Sequence, residues 1–457
     1  MKHFTNPEEK RKYLTEEKIP TLVLNMAVPS IISMLITSFY NMADTFFVGQ
    51  FGTTATAAVG VIFPLMSIIQ ALGFTFGHGS GNYISRKLGQ GEVEDAKKMA
   101  ATGFVSALIA GAIFSLVGLI FLDGLVGILG ATPTIAPYAR QYAMYILIGT
   151  PFMASSLVLN NQLRFQGSAF FGMIGMGAGA VLNIALDPLF IFVLDMGVSG
   201  AALATILSQI VSFCLLLRGC TRGGNIAISL KNFSPSWARY KEIARGGTPS
   251  LFRQGLGSVA TICLNFAAGI YGDAAIAGMS IVTRVLQFAN SAIIGLGQGF
   301  QPVCGFNYGA KLYGRVRKAF WFTVSLAFCV LLIGSIVGIA FAPQIIAIFR
   351  KEDLEVIKIG ALSLRLQCIF LPLSAFVVGS NMMLQTIGKP VKASISAAAR
   401  TGLFFVPAIL ILPQFFGLLG VQMSQAVADL CSFVLCVPLA GTTLLEMKRL
   451  EKERAEV

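Results

Sequence analysis

Residues 98–121 read KMAATGFVSALIAGAIFSLVGLIF, and residues 318–341 read KAFWFTVSLAFCVLLIGSIVGIAF. Each is a lysine followed by twenty-three residues without a charge. A helix rises about 1.5 Å per residue, so roughly twenty apolar residues cross a hydrocarbon layer about 30 Å thick. Both stretches therefore read as membrane-spanning helices. Their shared Ser-x-Val-Gly-x-x-Phe ending, at Ser115–Phe121 and Ser335–Phe341, reads as one element used twice at an offset of 220 residues.

The same offset holds elsewhere, which is the mark of an internal repeat. Pro29-Ser30 falls on Pro249-Ser250, Ala57 on Ala277, Gly89 on Gly309 and Lys98 on Lys318. One inserted residue later, Pro151 meets Pro372, Asn160 meets Asn381 and Gly167 meets Gly388, and the original register returns for Gly197/Gly417 and Gly200/Gly420. Chance apolar matches are common in such a chain, so the weight rests on the paired Pro, Gly and Asn.

The composition agrees: of 457 residues, 55% are hydrophobic and 12% charged, with a mean hydropathy of +0.75. That much apolar surface cannot be hidden in a soluble domain, and open strands cannot face lipid with unpaired backbone groups. Helices are expected near 19–48, 53–85, 96–121, 137–163, 168–194, 198–219, 247–271, 274–306, 316–342, 357–386, 391–415 and 419–446. The expected fold is an all-α integral membrane protein, with twelve transmembrane helices in two six-helix bundles related by a pseudo-two-fold axis along the membrane normal. It divides into a lobe at 1–219, a linker at 220–245 whose SPSWARYKEIAR part suits a short amphipathic interfacial helix, and a lobe at 246–457. Prolines inside the spans (Pro64, Pro151, Pro188, Pro302, Pro372, Pro407 and Pro438) mark candidate kinks. Gly73, Gly77 and Gly81, like Gly295 and Gly299, are spaced for close helix packing.

Of the 34 Lys and Arg, 26 fall in the tails and breaks on the side of the N-terminus. Arg140, Arg350, Lys351 and Lys358 fall on the other side, and four lie within helices. This asymmetry places both termini in the cytoplasm of a multi-pass protein of the cell membrane. It also accounts for the net charge of +13. The basic residues face anionic lipid, and the clustered basic and aromatic residues of a nucleic-acid surface are missing. The hydrophilic start, MKHFTNPEEKRKYLTEEK, is not the apolar core of a signal peptide, so the first span is expected to be retained. The eight Cys form neither CxxC nor Cys/His metal spacing. HExxH and GxSxG are likewise missing, which argues against an intramembrane enzyme.

Ionisable residues inside a membrane are costly and mark candidate sites. Three acids lie within the spans: Asp44, Asp187 and Asp429. Asn41 shares a helix face with Asp44, and Asn183 with Asp187. The first and fifth spans both run outward, so Asp44 and Asp187 fall in the outer half, with Thr205 of the sixth span at a similar depth. Pro188 has no N–H for the carbonyl of Ile184, which leaves a further oxygen beside Asp187. Such a set suits a small hard cation such as Na⁺, and equally a proton, because burial and like charge raise a carboxylate's pKa. Asp44 could instead be a solvated helix end, and Asp429, with only Gln425 near it, could simply pair helices. In the second repeat Leu264 stands where Asp44 does, and Val406-Pro407 where Asp187-Pro188 does, so ion coupling is expected in the first half alone. The second half carries Arg253, expected to snorkel to the cytoplasmic interface, Arg365, and the deeper Arg284 and Arg400, expected to bond backbone carbonyls between helices. His78 reads as a structural donor.

AVPSII in the first span, YNMADTFFVGQFGTTATAAVG after it, SRKLGQGEVEDAKK, LNIALDPLFIF, MGVSGAALAT and GTPSLF together resemble the multidrug and toxic compound extrusion (MATE) family over essentially the whole chain. NMADTFFVG and NIALDP are more similar to its DinF branch than to its NorM branch. The resemblance implies two six-helix lobes alternating between outward-open and inward-open states. It implies export of small organic, often cationic, compounds against H⁺ or Na⁺, with no cofactor, by a monomer. It carries the family's cation site onto Asp44, Asn183, Asp187 and Thr205, with Asn160 lining the same cavity. Tyr40, Asn41, Met26, Met34 and Met66 are then candidates for the lining of a promiscuous pocket. The competing reading is a flippase for a lipid-linked saccharide or other amphiphile, which favours a larger cationic cavity and often two extra helices.

Overall fold

The computed structural model describes residues 4, 6–50, 53–349 and 353–455; the side chains of 40–46, 48–50, 53–56 and 455 lie outside the description. The described residues are helical almost throughout, with no strand among them. The first half contains α1 (Pro7–Glu16), α2 (Ile19–Gln50), α3 (Thr53–Gln90), α4 (Val93–Ile120), α5 (Leu122–Ile128), α6 (Ala136–Phe165), α7 (Ala169–Pro188) and α8 (Gly197–Cys220). The second contains α9 (Trp237–Gly269), α10 (Asp273–Gly309), α11 (Tyr313–Ala340), α12 (Ala342–Phe349), α13 (Leu354–Phe370), α14 (Ser374–Thr386), α15 (Pro390–Ala398), α16 (Phe405–Phe416) and α17 (Leu418–Ala455).

These make twelve spans in two lobes of six, because α13 with α14 and α15 with α16 each form one interrupted crossing. Eleven are long and apolar enough to cross a bilayer; the seventh, α9, is the exception by composition. It also begins at Trp237, ten residues before the expected 247. Ser236 caps it, its hydroxyl accepting from the Arg239 N–H at 3.3 Å, and the helix runs on through Gly246, Gly247 and Pro249. Gly246 and Gly247 do not end the helix because they are pressed against Gly79 and Thr75 of α3, where a larger side chain would have no room. The amphipathic SPSWARYKEIAR segment is therefore the start of the seventh span.

Helix α1 lay outside the expected spans. Asn6 caps it, accepting from the Glu9 N–H at 2.8 Å, with Pro7 in the first turn and Glu8 and Glu9 at the positive end of the dipole. It lies across both halves. Lys10 Nζ donates to Ser168 (2.8 Å) and Asn225 (2.6 Å), and Arg11 Nε to the Gly89 carbonyl (2.9 Å). On the other side, Asn307 Nδ2 donates to the Leu14 carbonyl at 3.0 Å, and Arg315 Nη2 to the Glu17 carbonyl at 2.6 Å. Lys10 is 1% exposed, and burial pushes its ammonium pKa down to about 7.

The repeat has a conformational basis. Gly167 and Gly388 close equivalent turns with φ of 77° and 83°, and Gly197 and Gly417 with φ of 55° and 57°; side chains rarely adopt this region, so both copies keep glycine there. Few of the candidate prolines interrupt a helix. Pro64, Pro151, Pro302 and Pro438 sit inside unbroken helices, and Pro372 lies in a 3₁₀ turn at Leu371–Leu373. Pro188 leads into a π-helical turn, Leu189–Val193, and a second π turn, Ala399–Leu403, joins α15 to α16.

Gly73, Gly77 and Gly81 pack on Leu157, Asn161 and Phe165 of α6, within the first half. Gly295 and Gly299 of α10 instead lie on Ile31 and Ala27 of α2, across the two halves. Gly305 and Gly309 meet Ser85 and Arg86. Arg86 adds a 2.7 Å bond to the Thr386 carbonyl and a 3.2 Å ion pair with Glu242. These contacts between the halves run from the end of the bundle that carries both described chain ends to the middle of α2 and α10, where Ser38 meets Ser291 at 3.3 Å and the Phe39 ring meets Phe288 at 5.9 Å.

Candidate functional site

Helices α7 and α8 are brought together by small residues: Gly179 packs on Ser208 and Ser212, and Gly200 on the backbone of Phe190 and Ile191 in the π turn. That approach sets Asn183 and Asp187 of α7 against Thr205 of α8. All three are buried, at 1%, 0% and 3% exposure. The Asn183 amide links them in either orientation. In one, its nitrogen donates to Asp187 Oδ1 at 3.3 Å and to Thr205 Oγ1 at 3.4 Å. Turned over, the nitrogen donates to Asp187 Oδ2 at 3.1 Å while the oxygen accepts from the Thr205 N–H at 3.2 Å. The Thr205 hydroxyl donates to the Ala201 carbonyl at 3.0 Å, so its lone pairs face the cluster. The π turn follows Asp187 at once, in the segment that Pro188 already deprives of one helical donor.

Thus the structure brings together three of the four expected cation ligands. The fourth, Asp44, lies outside the described side chains, as do Tyr40 and Asn41. Asn160, on α6, is partly exposed, and its amide oxygen lies against Gly172 of α7. Met34 is half-buried on α2. Met26 is a core residue at 2% exposure, and the half-buried Met66 receives the Tyr142 hydroxyl at 4.0 Å within the packing of the first half. Helix position alone could not distinguish these two from residues facing open space.

The second half holds a different cluster. Arg400, in the π turn after α15, donates from Nε to Asp429 Oδ1 at 2.7 Å and from Nη2 to Asp429 Oδ2 at 3.4 Å. Its Nη1 reaches Asn290 Oδ1 on α10 at 3.2 Å, and Gln425 Nε2 donates to Asp429 Oδ1 at 2.8 Å. The expectation that Arg400 bonds backbone carbonyls is therefore corrected: it forms a forked ion pair, whose geometry matches a carboxylate. Asp429 does join helices, as one of its two readings had it. Arg253 does not snorkel; it donates to Asn381, the repeat partner of Asn160, at 3.2 Å. Arg284 is exposed, and Arg365 donates to the Ile339 carbonyl at 3.2 Å. Arg164, counted by sequence among the residues between spans, is 3% exposed on α6, where it reaches Asn161 (2.5 Å) and His78 Nε2 (3.3 Å). With Nδ1 at 3.2 Å from the Phe74 carbonyl, His78 is the structural group its setting suggested.

The MatE family model matches the chain twice, at residues 29–189 and 249–410, in step with the repeat. The chain belongs to the MATE family. Its relatives are multidrug efflux transporters rather than enzymes. The multidrug export protein MepA of Staphylococcus haemolyticus is 28% identical over 430 residues, covering 93% of this chain and 94% of its own. MepA of Staphylococcus aureus is 27% identical over 431 residues, with the same coverage. Among solved structures, a multidrug resistance MATE transporter in an outward-facing conformation superposes with a TM-score of 0.90 at 28% identity, covering 98% of this chain and 100% of the other. These likenesses are to MATE drug exporters and do not favour the flippase reading.

Proposed function

We propose that this MATE protein is a secondary antiporter of the cell membrane. It exports small organic, chiefly cationic, compounds by alternating access, in exchange for H⁺ or Na⁺ bound at Asp44, Asn183, Asp187 and Thr205. The observation that carries this reading is the buried Asp187–Asn183–Thr205 cluster. A carboxylate at 0% exposure is costly as a bare charge and favours a proton or a small cation. Amide, hydroxyl and carboxylate oxygens suit either. One charge crossing the membrane supplies about 2.3 kcal/mol per 100 mV, enough to sustain a useful export gradient.

The interlobe contacts support an outward-open arrangement. They seal the end that the Lys and Arg distribution assigns to the cytoplasm, with both termini there. In this reading residues 1–219 form the ion-coupling lobe, the segment from 220 to the start of α9 at Trp237 the linker, and α9 onward the lobe that completes the cavity, with Asn160, Met34, Tyr40 and Asn41 along its first-half wall. We place the chain in the DinF-like branch on NMADTFFVG and NIALDP, and treat it as a monomer. Ion and substrate must act on the same bending lobes, because a ligand shifts states only through its differential affinity.

The test is transport in reconstituted vesicles with proton and sodium gradients imposed separately, against a panel of organic cations. Export driven by either gradient in the wild type and lost in Asp187→Asn is the expected result. Wild-type efflux from Asp187→Asn would overturn the site assignment.

A further inference from the structure

The repeat places the Arg400–Asp429 cluster where the first lobe has its carboxylate site. At the 220-residue offset, Thr205 falls on Gln425, which bonds Asp429 one turn further along α17. Arg400 likewise lies two to three residues before the counterpart of Asn183 on the equivalent crossing, which is Gly402 or Leu403 according to the register taken. The two crossings run in opposite directions, so both displacements point toward the same end of the bundle. The second lobe therefore has its own buried carboxylate between the equivalent pair of helices, one turn deeper. Asp429 is 2% exposed, and a guanidinium already occupies its oxygens at 2.7 and 3.4 Å.

We propose that Arg400 is a tethered cation plugging a latent monovalent-cation site at Asp429, Gln425 and Asn290, so that the second lobe is permanently loaded. This extends the cation-coupled reading above: the second lobe neither gains nor loses a coupling ion. The physical reason is the cost of an uncompensated charge among packed helices. While Arg400 holds Asp429, the pair is neutral and Asp429 has no call for a proton or Na⁺. With the guanidinium removed, the carboxylate must recruit one or the other; the Asn290 oxygen that accepted from Arg400 is freed as a ligand, and the Gln425 amide, which now donates its nitrogen to Asp429, can turn its oxygen to a bound Na⁺. Conversely, neutralising Asp429 alone leaves an unpaired guanidinium facing Asn290, a positive charge in a lobe that must admit organic cations.

The experiment uses the full-length purified protein in phosphatidylcholine nanodiscs. It compares wild type, Arg400→Met, Arg400→Lys, Asp429→Asn and the Arg400→Met/Asp429→Asn double variant. Two readouts cover both ions: equilibrium binding of ²²Na⁺, and the infrared band of protonated carboxyl groups. Arg400→Met is expected to hold about one more cation per chain than wild type, seen either as ²²Na⁺ or as a protonated carboxyl. Arg400→Lys, which keeps a tethered charge, and the double variant are expected to hold no more than wild type. Asp429→Asn is expected to weaken binding of a fluorescent organic cation, and the added Arg400→Met to restore it. If Arg400→Met is folded by size-exclusion profile and gains neither signal, the proposal fails. Should it not fold, the proposal stands or falls on whether the double variant restores organic-cation binding over Asp429→Asn. Failure of the coupling assignment would look different: Asp187→Asn would leave the wild-type cation signals unchanged, whatever the Arg400 variants do.

Discussion

Where α7 meets α8, a buried carboxylate is bonded by an amide that also reaches a hydroxyl; where α15–α16 meets α17, a buried carboxylate faces a guanidinium. The two places share their helices' order, their turn glycines and a π turn on the odd-numbered crossing. What separates them is the group set against the carboxylate: a guanidinium in one lobe, an amide and a hydroxyl in the other, where the proposed function has a coupling ion bind. Duplicated scaffolds can thus keep their turn glycines and helix order while a few side chains, Asp187 and Thr205 in one copy and Arg400, Gln425 and Asp429 in the other, change what lies between the same pair of helices.

The largest test of this contrast is Asp187→Asn, expected to abolish ion-driven export while leaving expression and thermal stability near wild type, as vesicle efflux assays would reveal. Preserved export would erase the distinction between the lobes. Next is Asp429→Asn, which in the second lobe should act on stability. It strands Arg400, at a cost of about 3–5 kcal/mol for breaking a buried pair, measurable as a lower unfolding temperature. A loss as small as a surface substitution gives would show that Arg400 finds water or another acceptor. Asn183→Leu removes the bridging amide and should weaken cation binding by about tenfold to a hundredfold, from about 1–3 kcal/mol of lost hydrogen bonding. Unaltered affinity would reduce Asn183 to packing. The smallest effect concerns Lys10, outside both clusters. Its folded pKa, about 7, lies below the 10.5 of an ordinary lysine, so the undocked helix binds more protons between these values. Docking of α1 should therefore strengthen as pH rises from about 7 toward 10.5 and level off below 7. Hydrogen exchange over residues 7–16 would record this, and Lys10→Met should flatten the profile.

Much of the architecture could be read from the chain because the bilayer leaves few solutions: uncharged runs of about twenty residues must be spanning helices. Asn183, Asp187 and Thr205 could be found because helix periodicity and crossing direction together fix face and depth. The Arg400–Asp429 pair could not, since its members lie 29 residues apart on different helices and nothing local marks them as partners. Arg253 was misplaced for a related reason: nearness to the interface suggests snorkelling, whereas Asn381 offers an acceptor from 128 residues away. The start of α9 was missed because paired glycines read as a break, and only the close approach of α3 shows why the helix continues through them.

Helix α1 gives this scheme an added constraint. Its ten residues are bolted to one lobe through Lys10 and Arg11, and the carbonyls of Leu14 and of Glu17, just past its end, take bonds from the other. Any swing that parts the lobes at this end must first release one set of those bonds. The first turns of the chain therefore act as a crossbar on a double door: the side that lets go decides which lobe carries the bar when the door opens.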